Sequence, residues 1–264
     1  FKNEDDFNPQ VLRRVKDSDK GKYKKIDNVF IYKEVGIQTP PLFLLDDKKI
    51  LSELKVGKMQ DKLQEDILFM TKQSLVIRTN IISDDKAKAQ MSERSNELRE
   101  FDSAKQFLIK ASQRMKEENI EDYIFIFHNF IPAKIAAFVN AKPFERIVEI
   151  QALWGLPEGL YYNAHDRITI DTKDLNIDRM NKEKFVVSRN EVYKENFIAP
   201  NDEGKWVVKK ICPPYDWKCT IEDDKVLADI AFQARKITER VGEELSIMWF
   251  VGIDENYYKT NNIP

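Results

Sequence analysis

The chain has little cysteine and little histidine, with two of each among 264 residues. Cys212 and Cys219 lack C-x-x-C spacing and have no histidine nearby, so a zinc cluster is not indicated. We expect a reduced pair, with a local disulfide as the less favoured alternative. No apolar run approaches the roughly 20 residues that span a bilayer, and no secretion signal is visible, so we expect a cytoplasmic protein with no membrane partner.

The chain also lacks an excess of charge of one sign. It has 43 Lys and Arg against 45 Asp and Glu, a formal net charge of -2 and a pI near 5.9. Nucleic-acid-binding proteins usually show a basic excess or stripe, so no nucleic-acid partner is expected. The hydrophobic fraction of 42% is ordinary, and the length is enough for one large domain or two lobes.

Periodicity indicates a mixture of helices and strands. Helices are predicted near 25–34, 48–70, 102–118 and 223–241, and strands near 74–80, 168–172, 185–187, 205–211 and 245–251. The stretch 123–160 adds three short apolar runs, at 123–127, 135–139 and 147–153, which predict consecutive strands of one well-buried sheet. The predicted fold class is therefore α+β, with mixed or antiparallel sheets and flanking helices.

The third apolar run ends in Trp154-Gly155-Leu156-Pro157-Glu158-Gly159. A glycine-containing turn at a strand end can present a single carboxylate, here that of Glu158, to a ligand cleft. By itself such a turn is more often only a turn.

Residues 127–133, 135–139 and 155–158 together resemble the nucleotide-binding domain of the pyruvate phosphate dikinase and phosphoenolpyruvate synthase family. That family has a strand ending in Q-x-M-V-P-A, then S-G-V-x-F-T, then a strand closing in G-L-G-E. The resemblance implies that Glu158 contributes to a nucleotide site.

A second similarity lies upstream, where residues 36–43 have the form of the family's G-L-P-V-P-P-G-F turn. Lys25, eleven positions before Gly36, then occupies the place of the family's ATP lysine. Tyr23 and Lys24 stand where the family has two glycines, and a tyrosine cannot let the backbone approach phosphates as glycine does. Lys24 is an equal candidate for the phosphate ligand, and a third possibility is that both lysines are simply solvated.

A third similarity is Leu75-Val76-Ile77-Arg78-Thr79-Asn80, which resembles the family's V-R-S-S. The resemblance implies that Arg78 contacts nucleotide phosphates, a task that suits the planar, permanently charged guanidinium. The alternative is an ordinary arginine at a strand end.

Between residues 83 and 100, a run of charged residues stands where the family has a small-residue phosphate loop. This run is either a mobile lid whose Arg94 reaches the nucleotide, or a solvated helix or disordered loop.

The resemblance breaks at the metal site. Where the family has Y-G-x-P-x-D-I-E-W, whose Asp and Glu hold Mg²⁺, this chain has Ser246 and Met248. Mg²⁺ prefers hard oxygen ligands, and the two carboxylates that supply them in the family are absent here. Mg²⁺ binding is still possible, but the sequence identifies no ligand for it. No catalytic residue is named either. We interpret His128 as a core-edge residue and His165 as a turn residue, because neither has a partner at a catalytic spacing.

The resemblance as a whole implies a two-lobed ATP-grasp fold, with lobes 1–118 and 119–264 and ATP held between Lys25, Arg78 and Glu158. Its implied function is the phosphoryl-donor side of a larger kinase-type transferase, with adenine nucleotide as ligand and a phospho-acceptor on other domains or on a partner. One alternative is a catalytically degenerate nucleotide-binding or sensing module. A plain interaction domain is the hypothesis that stands if these three side chains do not converge.

Overall fold

The computed structural model describes residues 7–83 and 85–253, and these residues form two compact units. The first unit comprises the chain up to Lys33, Gln38–Phe130 and Glu203–Lys205. The second comprises Glu34–Ile37, Ile131–Asp202 and the residues from Trp206 onward. The predicted lobes 1–118 and 119–264 stay a prediction.

Among its described residues, the first unit contains one antiparallel sheet and five α-helices. In chain order its elements are β1 (Arg13–Arg14), α1 (Lys24–Glu34), β2 (Phe43–Leu45), α2 (Lys48–Leu54), α3 (Asp61–Thr71), β3 (Leu75–Ile81), α4 (Lys86–Gln90), α5 (Phe101–Glu117) and β4 (Tyr123–Asn129). The four strands lie in the order β1-β2-β4-β3, and each neighbouring pair is antiparallel.

The two faces of this sheet are covered differently. Ile77, Phe125 and Phe127 point into the larger core, which α2, α3 and α5 also line. The alternate residues Ile124 and Ile126 pack in a smaller core against α1. Because side chains alternate along a strand, Arg78 lies on the α1 face of the sheet, directly opposite Ile126.

The single helix predicted for residues 48–70 is wrong, since two helices, α2 and α3, occupy that stretch. Asp47 caps α2 by accepting hydrogen bonds from the backbone N–H groups of Lys49 and Ile50. Gly57 follows the end of α2 with φ of 79°, a left-handed conformation that stops the helix. The apolar periodicity continues across this break, so it gives no sign of it.

Asp66 anchors the N-terminal stretch of the first unit. Its carboxylate is 3% exposed and accepts hydrogen bonds from the backbone N–H groups of Gln10, Val11 and Leu12 at 2.9, 2.8 and 2.8 Å. One side chain of α3 thus accepts hydrogen bonds from three consecutive backbone N–H groups of a segment that has no regular secondary structure, and it holds this segment against the helix.

As far as residue 253, the second unit contains a five-stranded antiparallel sheet, a separate hairpin and one long helix. Its elements are β5 (Ala133–Ala141), β6 (Ile147–Trp154), β7 (Asp166–Asp171), β8 (Val186–Asn190), β9 (Asn196–Pro200), β10 (Trp206–Lys210), α6 (Asp224–Val241) and β11 (Leu245–Ile253). The large sheet has the order β11-β5-β6-β7-β8, β9 pairs with β10, and α6 packs on β5, β6 and β7. All four tryptophans of the chain, at positions 154, 206, 217 and 249, belong to this unit.

A buried ion pair joins loops of the second unit to β7. Lys194 and Asp166 are both fully buried, and Lys194 Nζ lies 2.8 Å from Asp166 Oδ1. Thr220 donates to Asp166 Oδ2 from both its backbone N–H and its hydroxyl, each at 2.8 Å. The carboxylate is therefore satisfied on both oxygens, as a buried charge requires.

The predicted α+β class, with antiparallel sheets and flanking helices, is confirmed. The three apolar runs of 123–153 do form strands, yet the prediction that they share one sheet is wrong, because β4 pairs with β2 and β3 while β5 and β6 belong to the second unit. Pro132, which has no N–H to donate to a ladder, lies between β4 and β5. Cys212 and Cys219 are both free.

Candidate functional site

Arg78 is a partly buried cation whose charge the surrounding residues do not offset. Its Nε is buried and has no hydrogen-bond partner. Within residues 7–83 and 85–253 no carboxylate forms an ion pair with its guanidinium. Burial lowers the pKa of Arg78, yet a guanidinium stays charged in proteins. A charge that is withdrawn from water without a partner is costly, so this position is suited to an anionic ligand.

Lys25 lies beside Arg78. It is the second residue of α1, and its Nζ donates a hydrogen bond to the carbonyl of Thr79 at 3.0 Å. The pKa of Lys25 is lowered, first by desolvation and then by the charge of Arg78. The two cations therefore repel one another across the α1 face of the sheet.

Arg94 lies directly opposite Arg78 on a neighbouring extended segment. Thr79 N donates to Glu93 O and Ser95 N donates to Ile77 O, each at 2.9 Å, which makes Arg78 and Arg94 a non-hydrogen-bonded antiparallel pair. In such a pair the Cα atoms are about 4.5 Å apart and both side chains point to the same face. Residues 93–98 are thus an edge segment of the sheet, and the helical part of the charged run, among its described residues, is α4. The solvated-helix alternative is wrong for Arg94, which lies in this extended segment, whereas its contact with a nucleotide stays a prediction.

His128 extends the same face of the sheet and was missed as a site residue by the sequence interpretation. It lies opposite Val76, is 9% exposed, and its Nδ1 is 2.8 Å from the backbone oxygen of Asn129. Burial, and then the charges of Arg78 and Arg94, lower its pKa to about 4. The sequence did contain a signal for this position. His128 alternates with the strand in the same phase as Ile124 and Ile126, so a polar residue was to be expected on the face that these isoleucines occupy.

The other two predicted ligands, Lys24 and Glu158, are not placed beside Arg78 by the described part of the structure. The backbone of Lys24 begins α1, and its side chain is outside the described part of the structure. Glu158 belongs to the second unit, where it lies in a 3-10 helix, Pro157–Tyr161, that follows β6. Lys25, Arg78 and Arg94 are brought together in the first unit, and the role of Glu158 stays a prediction.

The two positions that resemble the family's metal site carry side chains that do not suit Mg²⁺. Ser246 and Met248 lie on β11 opposite Asn140 and Phe138, so the potential donors are a hydroxyl and a thioether beside an aromatic ring. A thioether is a poor ligand for Mg²⁺. Among the residues that the structure describes, no three His, Cys, Asp or Glu side chains are grouped as metal ligands would be.

His165 is a turn residue, as interpreted from the sequence. Its Nδ1 lies 3.0 Å from the backbone oxygen of Asn163, in the turn that precedes β7.

Comparisons with known proteins add little to this geometry. No family model matches the sequence, and no curated protein is significantly similar to it. Among solved structures, the chain is similar to macrocyclase MdnC from Microcystis aeruginosa MRC, bound with precursor peptide MdnA, at 8% identity and a TM-score of 0.27, with 79% of this chain and 60% of the other covered. It is also similar to a Chryseobacterium gregarium RiPP-associated ATP-grasp ligase in complex with ADP and a leader and core peptide, at 9% identity and a TM-score of 0.27, with 86% and 61% covered.

The chain spans about three fifths of the length of each of these two proteins. At a TM-score of 0.27 neither similarity decides the fold or the function of this chain. In the described part of the chain, no helix has the length and apolarity needed to cross a membrane.

Proposed function

We propose that the first unit binds the phosphate groups of an adenine nucleotide through Arg78 and Lys25. The observation that carries this proposal is the guanidinium of Arg78, which has no hydrogen-bond or ion-pair partner among the described residues and lies next to a second cation whose pKa its charge lowers. An anion would supply the missing acceptor and offset the repulsion between the two side chains. Arginine and lysine side chains are common phosphate ligands for this reason.

The donors available at the site suit phosphate oxygens. One of the three N–H donors of the Lys25 ammonium group is hydrogen-bonded to the Thr79 carbonyl, which fixes the position of the group. Two donors remain for a ligand. Lys25 also lies in the first turn of α1, where the helix dipole favours negative charge. Arg94, opposite Arg78 on the same face, is a further candidate ligand, and so is Lys24 at the start of the helix.

The identity of the nucleotide rests on the sequence resemblance. The similar segments that contain Lys25, Arg78 and Glu158 are those that bind ATP in the dikinase family, and this resemblance supports an ATP-grasp-like nucleotide site with Glu158 as a further ligand. The wider proposal is the phosphoryl-donor side of a kinase-type transferase, with the acceptor on other domains or on a partner protein.

The second candidate function is nucleotide binding without turnover. It is favoured by Ser246 and Met248, because a metal held by carboxylates would contribute several kcal/mol to phosphoryl transfer, and each 1.4 kcal/mol or so is about tenfold in rate. We expect negligible phosphate release from ATP by this chain alone with Mg²⁺ or Mn²⁺. Turnover at about 1 s⁻¹ or more, an ordinary enzyme rate, would contradict this and restore the transferase hypothesis.

Nucleotide binding is tested by thermal unfolding with ATP, ADP and AMP at millimolar concentration. A ligand at about 100 times its dissociation constant stabilises the folded state by roughly 2.7 kcal/mol. For a chain of this length each kcal/mol corresponds to about 2–4 °C in melting temperature, so we expect an increase of several degrees.

Arg78→Met should remove most of this increase, because methionine keeps an unbranched apolar side chain and loses the charged guanidinium. Lys62→Met is the matched control, since Lys62 is an exposed residue of α3 in the same unit, and it should leave the increase unchanged. A melting temperature that none of the three nucleotides changes, with or without Mg²⁺, would leave the interaction-domain hypothesis standing.

A further inference from the structure

His128 is a buried, titratable group that direct phosphate binding by Arg78 and Lys25 does not use. It lies on the α1 face of the sheet, diagonal to Arg78 across the β3–β4 pairing. The charges that lower its pKa are those of Arg78 on β3 and Arg94 on the adjoining segment. Lys25, on α1, adds a third cation next to Arg78. Every one of these charges is positive.

The hydrogen bond of the ring fixes which nitrogen is free to take a proton. The backbone oxygen of Asn129 can only accept, so Nδ1, at 2.8 Å, carries a hydrogen and donates it. In the neutral ring Nε2 is then the unprotonated nitrogen. Any proton added to His128 must bind there.

We propose that binding of an anion at Arg78 causes His128 to take up one proton at Nε2. This inference rests on the phosphate site proposed above and adds its regulation by pH. Without the anion, burial and neighbouring positive charges oppose a further charge on the ring. A phosphate or sulfate group offsets most of this nearby positive charge, so the charged ring is opposed less and the pKa of His128 rises. The proton comes from solvent, and it returns to solvent when the anion dissociates.

The direction of the pH effect follows from linkage. The pKa of His128 is about 4 without ligand, and the bound anion raises it. Between those two pKa values binding takes up a proton, so affinity increases as pH falls. Above the pKa of the complex His128 is neutral in both states and contributes no pH dependence.

The test uses inorganic sulfate, which does not change its own charge in this pH range, and then ATP. Calorimetric titration of the whole chain should show sulfate binding about three- to tenfold tighter at about pH 5 than at about pH 8. Proton uptake is measured by repeating the titration in buffers with different ionisation enthalpies. The chain has only two histidines, so the ¹³Cε1 resonance of each ring can be followed by NMR with and without sulfate.

His128→Gln removes the titrating ring and should abolish the pH dependence while leaving the affinity at high pH within about twofold of the wild-type value. His165→Gln is the matched control and should behave as wild type, since this ring lies in a turn of the second unit. The NMR titration of the wild-type protein gives an answer even if the His128 variant fails to fold.

The two proposals fail in different ways. If sulfate and ATP bind at no pH, the phosphate site itself is wrong. If they bind with unchanged affinity between the two pH values, without proton uptake and with an unshifted His128 resonance, only the proton coupling is wrong.

Discussion

Arg78 and Arg235 both have a buried Nε without a hydrogen-bond partner, but they differ in the partners of their terminal nitrogens. Arg235 is fully buried and its guanidinium donates to the Thr172 hydroxyl at 2.7 Å and to the Leu175 backbone oxygen at 2.6 Å, with Glu239 3.0 Å away. Arg78 has no such partners among the described residues. An unpaired charge lowers the free energy of unfolding, and such a residue is typical of a binding site, where function requires the charge.

This contrast gives a prediction for ligand-free protein. Arg78→Met should leave the free energy of unfolding unchanged or raise it by about 1 kcal/mol, because it removes an unpaired charge. Arg235→Met should lower it by about 3–5 kcal/mol, because it leaves buried acceptors and Glu239 without their partner. Urea unfolding followed by far-UV circular dichroism measures both. A loss of several kcal/mol from Arg78→Met would show that Arg78 is structural rather than a ligand-binding residue.

At the scale of elements, Gly155 joins β6 to the turn that carries Glu158. Its φ is 78°, and a Cβ placed there would lie 2.3 Å from the Ile198 backbone oxygen and 2.6 Å from Phe197 Cδ2. The parallel bridge between Gly155 and Ile198 therefore requires glycine. The turn is fixed to β9 by close backbone packing.

Gly155→Ala should destabilise the second unit by more than about 2 kcal/mol, since strain at positive φ adds to a clash with backbone. Gly242→Ala is the control, because Gly242 has a φ of 79° in the same unit with nothing within 4 Å of the added Cβ. It should lose only about 1 kcal/mol. Equal losses in the two variants, measured by urea unfolding, would mean that the contact with Ile198 does not form.

Most elements could be predicted from the sequence, because local apolar periodicity marks β3, β4, β6, α5 and α6. The hairpin strand β9, Asn196–Pro200, was missed because it is short, contains proline and gains its regularity only by pairing with β10. The three apolar runs are divided between two sheets because of how strands far apart in sequence pair. Local periodicity carries no information about that pairing.

The candidate site shows the same limit. Lys25 and Arg78 were found through local motifs, whereas the position of Arg94 opposite Arg78 and of His128 on the same face follows from pairing of segments far apart in sequence. Local sequence marks single ligands, and strand pairing decides which of them share a surface.

At the scale of the whole molecule, His128 contributes to how stability depends on pH. Its pKa is about 4 in the folded protein and about 6.5 when unfolded, so the unfolded chain binds more protons between these values. The contribution of His128 to stability is therefore fully present above about pH 6.5 and is lost progressively as pH falls toward about 4. The loss amounts to about 3 kcal/mol.

His128→Gln should flatten the fall in the free energy of unfolding over that pH range, whereas His165→Gln should not. Urea unfolding at several pH values, with circular dichroism as the probe, measures the slopes. Identical slopes for wild type and His128→Gln would show that the ring is not kept neutral by its surroundings.

The confinement of all four tryptophans to the second unit gives the protein a built-in optical reporter. Selective excitation of indole observes one unit, while Arg78, Lys25 and His128 belong to the other. Emission that stays constant while a nucleotide protects the first unit means that the ligand acts locally. Emission that changes in step with binding means that the second unit responds to occupancy at Arg78, as a contribution of Glu158 to the site would require, and no fluorescent label is needed to detect it.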